Sequence, residues 1–224
     1  MYYILKELKD ELREKYLQKK IDLEIFQDSI TDIDIWAKDY YKKYGKVGIR
    51  EFQWLELTMD MRVFKLGRFQ FEKIEDPEAE AYLAKRGIVK NAIQLNVHIQ
   101  EGGPLDFREC QKSYKKAAKF YDKFYNFDWI AFVCDSWLLN QELKDMLPRN
   151  SNIISFQKQY HIISEKRRSR QFEERVFGTI KNNPLEYKAR TSLQKRAKEV
   201  LIKKRSLGMA KGIYIISKEE LLHR

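Results

Sequence analysis

The spacing of apolar positions divides the chain into helical and extended stretches. Ile4, Leu5, Leu8, Leu12 and Tyr16 recur at three and four residues, and Glu11 stands four before Lys15, so 3–19 is expected to be a helix. Ile33, Trp36, Ala37, Tyr40, Tyr41 and Tyr44 form the stripe of a second helix. Ser29 and Thr31 are its candidate caps, and Gly45 and Gly48 its stop. Between 54 and 72 the first half fits the end of a helix. The second half alternates as a strand, interrupted by Gly67 as a bulge or close turn. The charged stretch 76–90 reads as a surface excursion with a short helix at 77–85.

Residues 92–100 form the next expected strand. Asp106-x-x-Glu109 matches a capping box, so a helix begins at 106 or 107, with Cys110, Tyr114, Ala117, Ala118, Tyr121 and Phe124 on its buried face. The mostly apolar run 128–136 has strand length and suits a central position covered on both faces. A short helix over 141–147 is stopped by Pro148, and 153–163 with 175–178 reads as an antiparallel pair. A last helix over 184–206 starts at Pro184, and 212–216 closes the sheet. This order predicts an α+β or mixed α/β domain on a largely antiparallel sheet.

Length narrows the picture: 224 residues suit one large domain, or one domain with a smaller appendage. No apolar run approaches the ~20 residues that span a bilayer. The first ten residues carry acids and no small-residue cleavage site, so they read as helix and not as a signal peptide. Cys110 and Cys134 lack metal-type spacing and read as free thiols, which suits a cytoplasmic protein. The net charge is +11, and 181–211 holds ten Lys and Arg against two acids. Such a segment suits nucleic acid, an anionic membrane or a polyanionic cofactor, or is a solvated helix face. With Tyr187 as its one aromatic it lacks the stacking platform of a single-strand binder, which counts against nucleic acid. No Cys/His cluster suggests a metal, and no Walker loop suggests ATP.

Candidate chemistry gathers between 95 and 157. His98 is the one histidine inside an apolar strand, and it shares a strand face with Asn96 and Gln100. An imidazole there suits a general base or, equally, a hydrogen-bonded structural histidine. Cys134 and Ser136 share one face of the following strand. Either can protonate a leaving thiolate or anchor substrate. Their competing readings are a small buried hydrophobe for Cys134 and a helix cap for Ser136. Gln100-Glu101-Gly102-Gly103-Pro104-Leu105 lies between strand and helix, where free N–H groups suit phosphate or form a tight turn. Arg68 and Gln70, two apart beside Gly67, suit contacts to a carboxylate or cofactor, or ordinary surface roles.

Several of these segments carry a resemblance. Trp36, Trp54-Leu55, Phe64-x-Leu66-Gly67-Arg68-x-Gln70-Phe71, Val97-His98-Ile99, Gly103-x-Leu105, Cys110-x-x-Ser113, Cys134-x-Ser136-Trp137-Leu138-Leu139, Leu147-Pro148, Ser151-Asn152-Ile153 and Phe156 resemble bacterial acyltransferase-domain-containing proteins, chiefly their GNAT-like C-terminal domain. The likeness covers roughly 30–216, and the helical start looks like a shortened N-terminal acyltransferase-associated domain. The division expected is 1–48, an N-terminal helical segment, and 49–224, a GNAT-like domain with a twisted, mostly antiparallel sheet flanked by helices. The resemblance implies acyl transfer from acetyl-CoA or another acyl-CoA to an amine. Its alternatives are a catalytically silent acyl-CoA-binding relative and a basic interaction module. In that superfamily a Gln/Arg-x-x-Gly-x-Gly/Ala loop cradles the pyrophosphate. The likeness therefore implies cofactor contacts at Gln100, Gly102, Gly103 and Leu105, although Leu105 replaces the small residue and Pro104 lacks an N–H.

Overall fold

The computed structural model describes residues 2–49, 51–88, 91–203 and 206–223. The side chains of Ile4 and Leu5, and Lys204 and Arg205 of the basic segment, lie outside the described residues. The chain runs α1 (Tyr2–Gln18), α2 (Leu23–Tyr44), α3 (Phe52–Met59), β1 (Val63–Leu66), β2 (Phe69–Lys73), α4 (Pro77–Lys85), β3 (Ala92–His98), α5 (Phe107–Tyr121) and β4 (Trp129–Ser136). It continues through α6 (Leu143–Met146), α7 (Asn152–Gln157), β5 (His161–Lys166), α8 (Gln171–Phe177), α9 (Ser192–Ile202), β6 (Met209–Ser217) and α10 (Lys218–His223). The six strands form a sheet in the order β1-β2-β3-β4-β6-β5. It is mixed: β3 and β4 run parallel, whereas β1/β2, β4/β6 and β5/β6 are antiparallel. Among the described residues no helix is long and apolar enough to cross a membrane.

Two compact units make up the fold, one of residues 1–73, 97–103 and 108–124, the other of 74–96, 104–107 and 125–224. In the first, Leu12 and Tyr16 of α1 are fully buried, and the Tyr16 ring meets Phe26 and Phe64 edge-on at 5.5 and 6.0 Å. Asp22 caps α2 by accepting from the Glu24 N–H at 2.8 Å. The expected caps Ser29 and Thr31 therefore lie inside the helix, and their hydroxyls bond elsewhere: Ser29 accepts from the Lys65 N–H, and Thr31 donates to the Asp28 carbonyl. Gly45, at φ 64°, ends α2 as expected, since only a residue without Cβ enters that region without cost. The apolar stripe is shorter than its sequence suggests. Ile33 packs with Ile49 and Leu55, but Tyr41 and Tyr44 are 60% and 47% exposed.

In the second unit Asp76 caps α4 through the Ala79 N–H, and Pro77 opens the helix, where its missing N–H costs nothing. β4 is central, with Ile130 to Cys134 all buried, as expected for a run covered on both faces. Ala79 and Leu83 of α4 pack on Ala131, Val133 and Ile213, while α6 to α9 enclose a separate core around Phe172, Tyr187 and Ala197. The pair expected from 153–163 and 175–178 does not form. Ser151 accepts from the Ile153 N–H and starts α7, β5 pairs instead with β6, and Gly178, at φ 72°, terminates α8. The last long helix begins later than Pro184: a capping box between Thr191 and Gln194 starts α9, and residues 184–186 form a separate 3₁₀ turn capped by Asn183.

Candidate functional site

Within the first unit, β2 separates two environments by simple alternation. Phe69 and Phe71 pack on Tyr114 of α5, with ring centroids 5.2 and 6.3 Å away. Gln70 and Glu72 point the other way and are also buried, at 2% and 6% exposure. Buried polar side chains must find partners, and these two find them at Asp32 on α2, at His98 on the end of β3 and at Arg62 just before β1.

Glu72 holds the base candidate. One of its oxygens accepts from Arg62 Nη2 at 2.8 Å, and the other lies 3.3 Å from His98 Nε2. The hydrogen bond with His98, with Arg62 adding to it against the cost of burial, holds the Glu72 carboxyl below its ordinary range. An ionised carboxylate only accepts, so the Nε2 facing it carries the proton and Nδ1 is the basic nitrogen of the ring. At 3.3 Å the contact is longer than the ~2.7–2.9 Å of a strong charge-assisted bond, so Glu72 orients the imidazole more than it stabilises it. The Trp54 ring meets the imidazole edge-on at 4.6 Å and 70°. The His98 side chain is 24% exposed and that of Glu72 8%, which leaves the ring between a buried carboxylate and solvent.

Asp32 of α2 lies in the same cluster and is 2% exposed. It accepts from Trp54 Nε1 at 2.7 Å, from Gln100 Nε2 at 2.6 Å and from Gln70 Nε2. Gln100 Nε2 also reaches Thr31 Oγ1 at 3.2 Å.

The β1–β2 turn contributes a cation. Leu66 pairs with Phe69 across the two-residue loop Gly67-Arg68, and Gly67 has φ 80°, as a tight hairpin requires of its first central residue. Ser113 clamps the turn: its hydroxyl donates to the Leu66 carbonyl at 2.5 Å and accepts from the Phe69 N–H at 3.0 Å. Arg68 then reaches the segment after β3, donating to the carbonyls of Gln100 at 3.0 Å and Gly103 at 2.7 Å. Gly102 there has φ 103°, and a Cβ at Gly103 would sit 3.6 Å from the guanidinium. A backbone loop with a cation at its side and no side chain at two positions suits an anionic group. Burial depresses the neighbouring Lys65 ammonium to about 8, an effect that Arg68 reinforces and Asp32 and Asp28 oppose.

Other sequence candidates take structural roles. Cys134, in the second unit, is 1% exposed, and burial pushes its thiol up, with the Asp135 charge adding to the effect. Sealed from solvent, it reaches neither a leaving thiolate nor a substrate, which corrects its reading as acid or substrate anchor and leaves that of a small hydrophobe. Ser136 accepts from the Leu138 N–H at 3.2 Å and caps the 3₁₀ turn 137–139, the competing role foreseen for it. Gln100 is a correction of a different kind, because its side-chain amide is spent on Asp32 and Thr31 and only its backbone borders the loop. Leu105 belongs to the second unit and is buried. Among the described residues no group of three His, Cys, Asp or Glu side chains is placed to hold a metal. Sequence reasoning missed Asp32, Trp54, Glu72 and Arg62 as site residues. One signal was available: Asp32 falls between Ser29 and Trp36 at helical spacing, an acid on an otherwise apolar stripe.

Residues 63–214 match the family model described as the GNAT-like C-terminal domain, and residues 1–61 match the N-acyltransferase N-terminal domain. No curated protein sequence matches the chain. Among solved structures it is similar to an acyltransferase in complex with decanoyl-CoA and teicoplanin, at 21% identity and a TM-score of 0.78 over 93% of this chain and 63% of the other. A mutant acyltransferase in complex with octanoyl-CoA aligns at 20% identity and 0.78, over 92% of this chain and 63% of the other. A further structure, in complex with decanoyl-CoA alone, aligns at 22% identity and 0.75, over 91% of this chain and 61% of the other. The chain thus spans less than two thirds of these neighbours' length, and at this identity they show a shared fold.

Proposed function

The chain belongs to the family of the GNAT-like C-terminal domain, and from that premise we propose that it is an acyl-CoA-dependent N-acyltransferase with His98 as general base. The observation that carries the reading is the imidazole at the end of β3, about a quarter exposed, with a buried carboxylate behind its Nε2 and an indole against its face. Acyl transfer to an amine needs such a group. The amine nitrogen bonds to the thioester carbonyl carbon, the C–S bond breaks, and the amine's extra proton passes to Nδ1 of His98. The leaving thiolate takes a proton from solvent as coenzyme A departs, and His98 returns its own proton to solvent. Transfer is direct in this reading, because the raised thiol of Cys134 makes it a poor nucleophile at neutral pH.

The acyl-CoA contacts we propose are the backbone at Gly102 and Gly103, with Arg68 as the cation beside the pyrophosphate. Gly102 in a left-handed conformation and the absent Cβ at Gly103 fit a close approach by phosphate. Decanoyl-CoA and octanoyl-CoA, the ligands of the structural neighbours, are the first donors to test. At one hundred times its dissociation constant a ligand adds about 2.7 kcal/mol of stability, a clear thermal shift. Absence of a shift with acetyl-, octanoyl- and decanoyl-CoA would sink the reading. Salt-dependent RNA binding in its place would favour a basic interaction module.

A further inference from the structure

Asp32 takes no part in the chemistry above, yet it accepts from three side chains on different parts of the first unit: Trp54 of α3, Gln70 of β2, and Gln100 beyond β3. We propose that Asp32 is a positioning residue for acyl transfer. Through Trp54 it fixes the imidazole of His98, and through Gln100 it fixes the segment that Arg68 holds. The inference rests on the roles proposed for His98 and the 100–103 segment.

A carboxylate buried without a close cation is costly, so its stability value alone is a weak reason to keep one. Among the described residues Asp32 forms no ion pair: Lys65 feels its charge only at longer range, and its three hydrogen-bond partners are neutral donors. What a carboxylate supplies is acceptor capacity: two oxygens with about four lone-pair sites, against one acceptor oxygen for Asn and none for an apolar residue. The indole has a single N–H, so its 2.7 Å bond to Asp32 fixes the ring in its own plane. That ring sets one side of the imidazole, and Glu72 sets the other. On the second branch, the Gln100 amide is anchored by Asp32 at 2.6 Å while its carbonyl accepts from Arg68 at 3.0 Å. Side chain and backbone of one residue thus tie the carboxylate to the loop.

The two branches can be cut separately. Trp54→Phe keeps a ring against His98 but removes the N–H, and Gln100→Ala removes the amide alone. Single-turnover acylation should slow about tenfold in Trp54→Phe, with decanoyl-CoA affinity by calorimetry within twofold of wild type, because small misplacements of a base are costly. Gln100→Ala should raise the decanoyl-CoA dissociation constant about tenfold. Asp32→Ala should show both changes and should also move the His98 ring resonances of the ligand-free protein. A folded Asp32→Ala with rate, affinity and His98 resonances like wild type overturns the inference. Where that variant does not fold, wild-type rate in Trp54→Phe together with wild-type affinity in Gln100→Ala overturns it. If the wild-type protein itself binds no acyl-CoA, the proposed function fails first. The His98 resonances of Asp32→Ala or Trp54→Phe then decide alone: shifted signals uphold the positioning, and unmoved ones end it.

Discussion

Glu72 and Glu173 begin from the same position. Each side chain is 8% exposed, each is paired with an arginine, and each carboxyl is held below its ordinary range. Their remaining partners separate them. Glu173 takes a two-pronged contact from Arg170 Nε and Nη2, at 2.8 and 2.5 Å, and a hydrogen bond from the Tyr187 hydroxyl. Arg170 and Tyr187 then bond the Lys181 carbonyl and N–H, and Phe177 stacks on Tyr187 at 4.2 Å. Every arm of that cluster ends on backbone or a packed ring, so it fastens the start of the basic segment. Glu72 ends on a histidine, the side chain whose ordinary pKa, about 6.5, permits proton transfer near neutrality. A buried carboxylate is therefore weak evidence of a site until its partner is known.

The sharpest break of the comparison is at the two partners. His98→Gln should lower acylation about a hundredfold or more, the usual contribution of a general base, with the acyl-CoA dissociation constant near wild type. Rapid-quench assays beside calorimetry on one preparation measure both, and full activity in this variant would end the assignment. Glu173→Ala should do the opposite. It strips the Tyr187 hydroxyl of a partner and leaves Arg170 without its carboxylate, costing about 2 kcal/mol of unfolding free energy. Activity per folded molecule should stay at the wild-type level. Urea titration with active-site normalisation tests it, and a stable but inactive Glu173→Ala would merge the two clusters into one functional class.

Gly67→Ala tests the turn that aims Arg68. A side chain at φ 80° is strained, and its Cβ would lie 3.4 Å from Ser113, so a loss of about 1–2 kcal/mol is expected. Weaker acyl-CoA binding should accompany it, because Arg68 leaves the carbonyls of Gln100 and Gly103. Unchanged affinity in a destabilised protein would separate the turn from the cofactor segment.

What the sequence disclosed follows the range of the interactions involved. Asp76-Pro77 fixes the start of α4 by contacts within four residues, and 77–85 was legible to the residue. The apolar run of β4 and the alternation of β3 were legible for the same reason, including the face that His98 shares with Asn96. Ser151 was ambiguous because a cap and a strand start look alike until the neighbouring strand is known, and β5 found its partner in β6, more than forty residues later. The exposure of Tyr41 and Tyr44 depends on where packing against α2 ends, which helical periodicity does not encode. Asp32 was hidden for a related reason. Its partners stand 22, 38 and 68 residues away, so its place on the apolar stripe of α2 marks a buried acid but not which donors it accepts from.

The smallest expected effect concerns acid, and it distinguishes the two glutamates once more. For both, the folded carboxyl lies below the ordinary value of 4.5, so between the two values the unfolded chain holds a proton that the folded one does not. Stability therefore rises with pH across that window. Each contribution is complete above 4.5 and is lost as pH falls through the folded value. Glu72→Gln and Glu173→Gln should each remove part of this acid slope, so each should approach wild-type stability as the medium becomes more acidic. The Glu72 share should be modest, because its Arg62 partner is 58% exposed and screened by solvent. Only Glu72→Gln should also slow acylation at neutral pH, since an amide that presents its NH2 to His98 Nε2 no longer favours the tautomer with Nδ1 basic. Urea titrations on either side of pH 4.5, with turnover measured at neutrality, provide the comparison. Equal loss of activity in both variants would show that the partner of the carboxylate is not what separates a site from a staple.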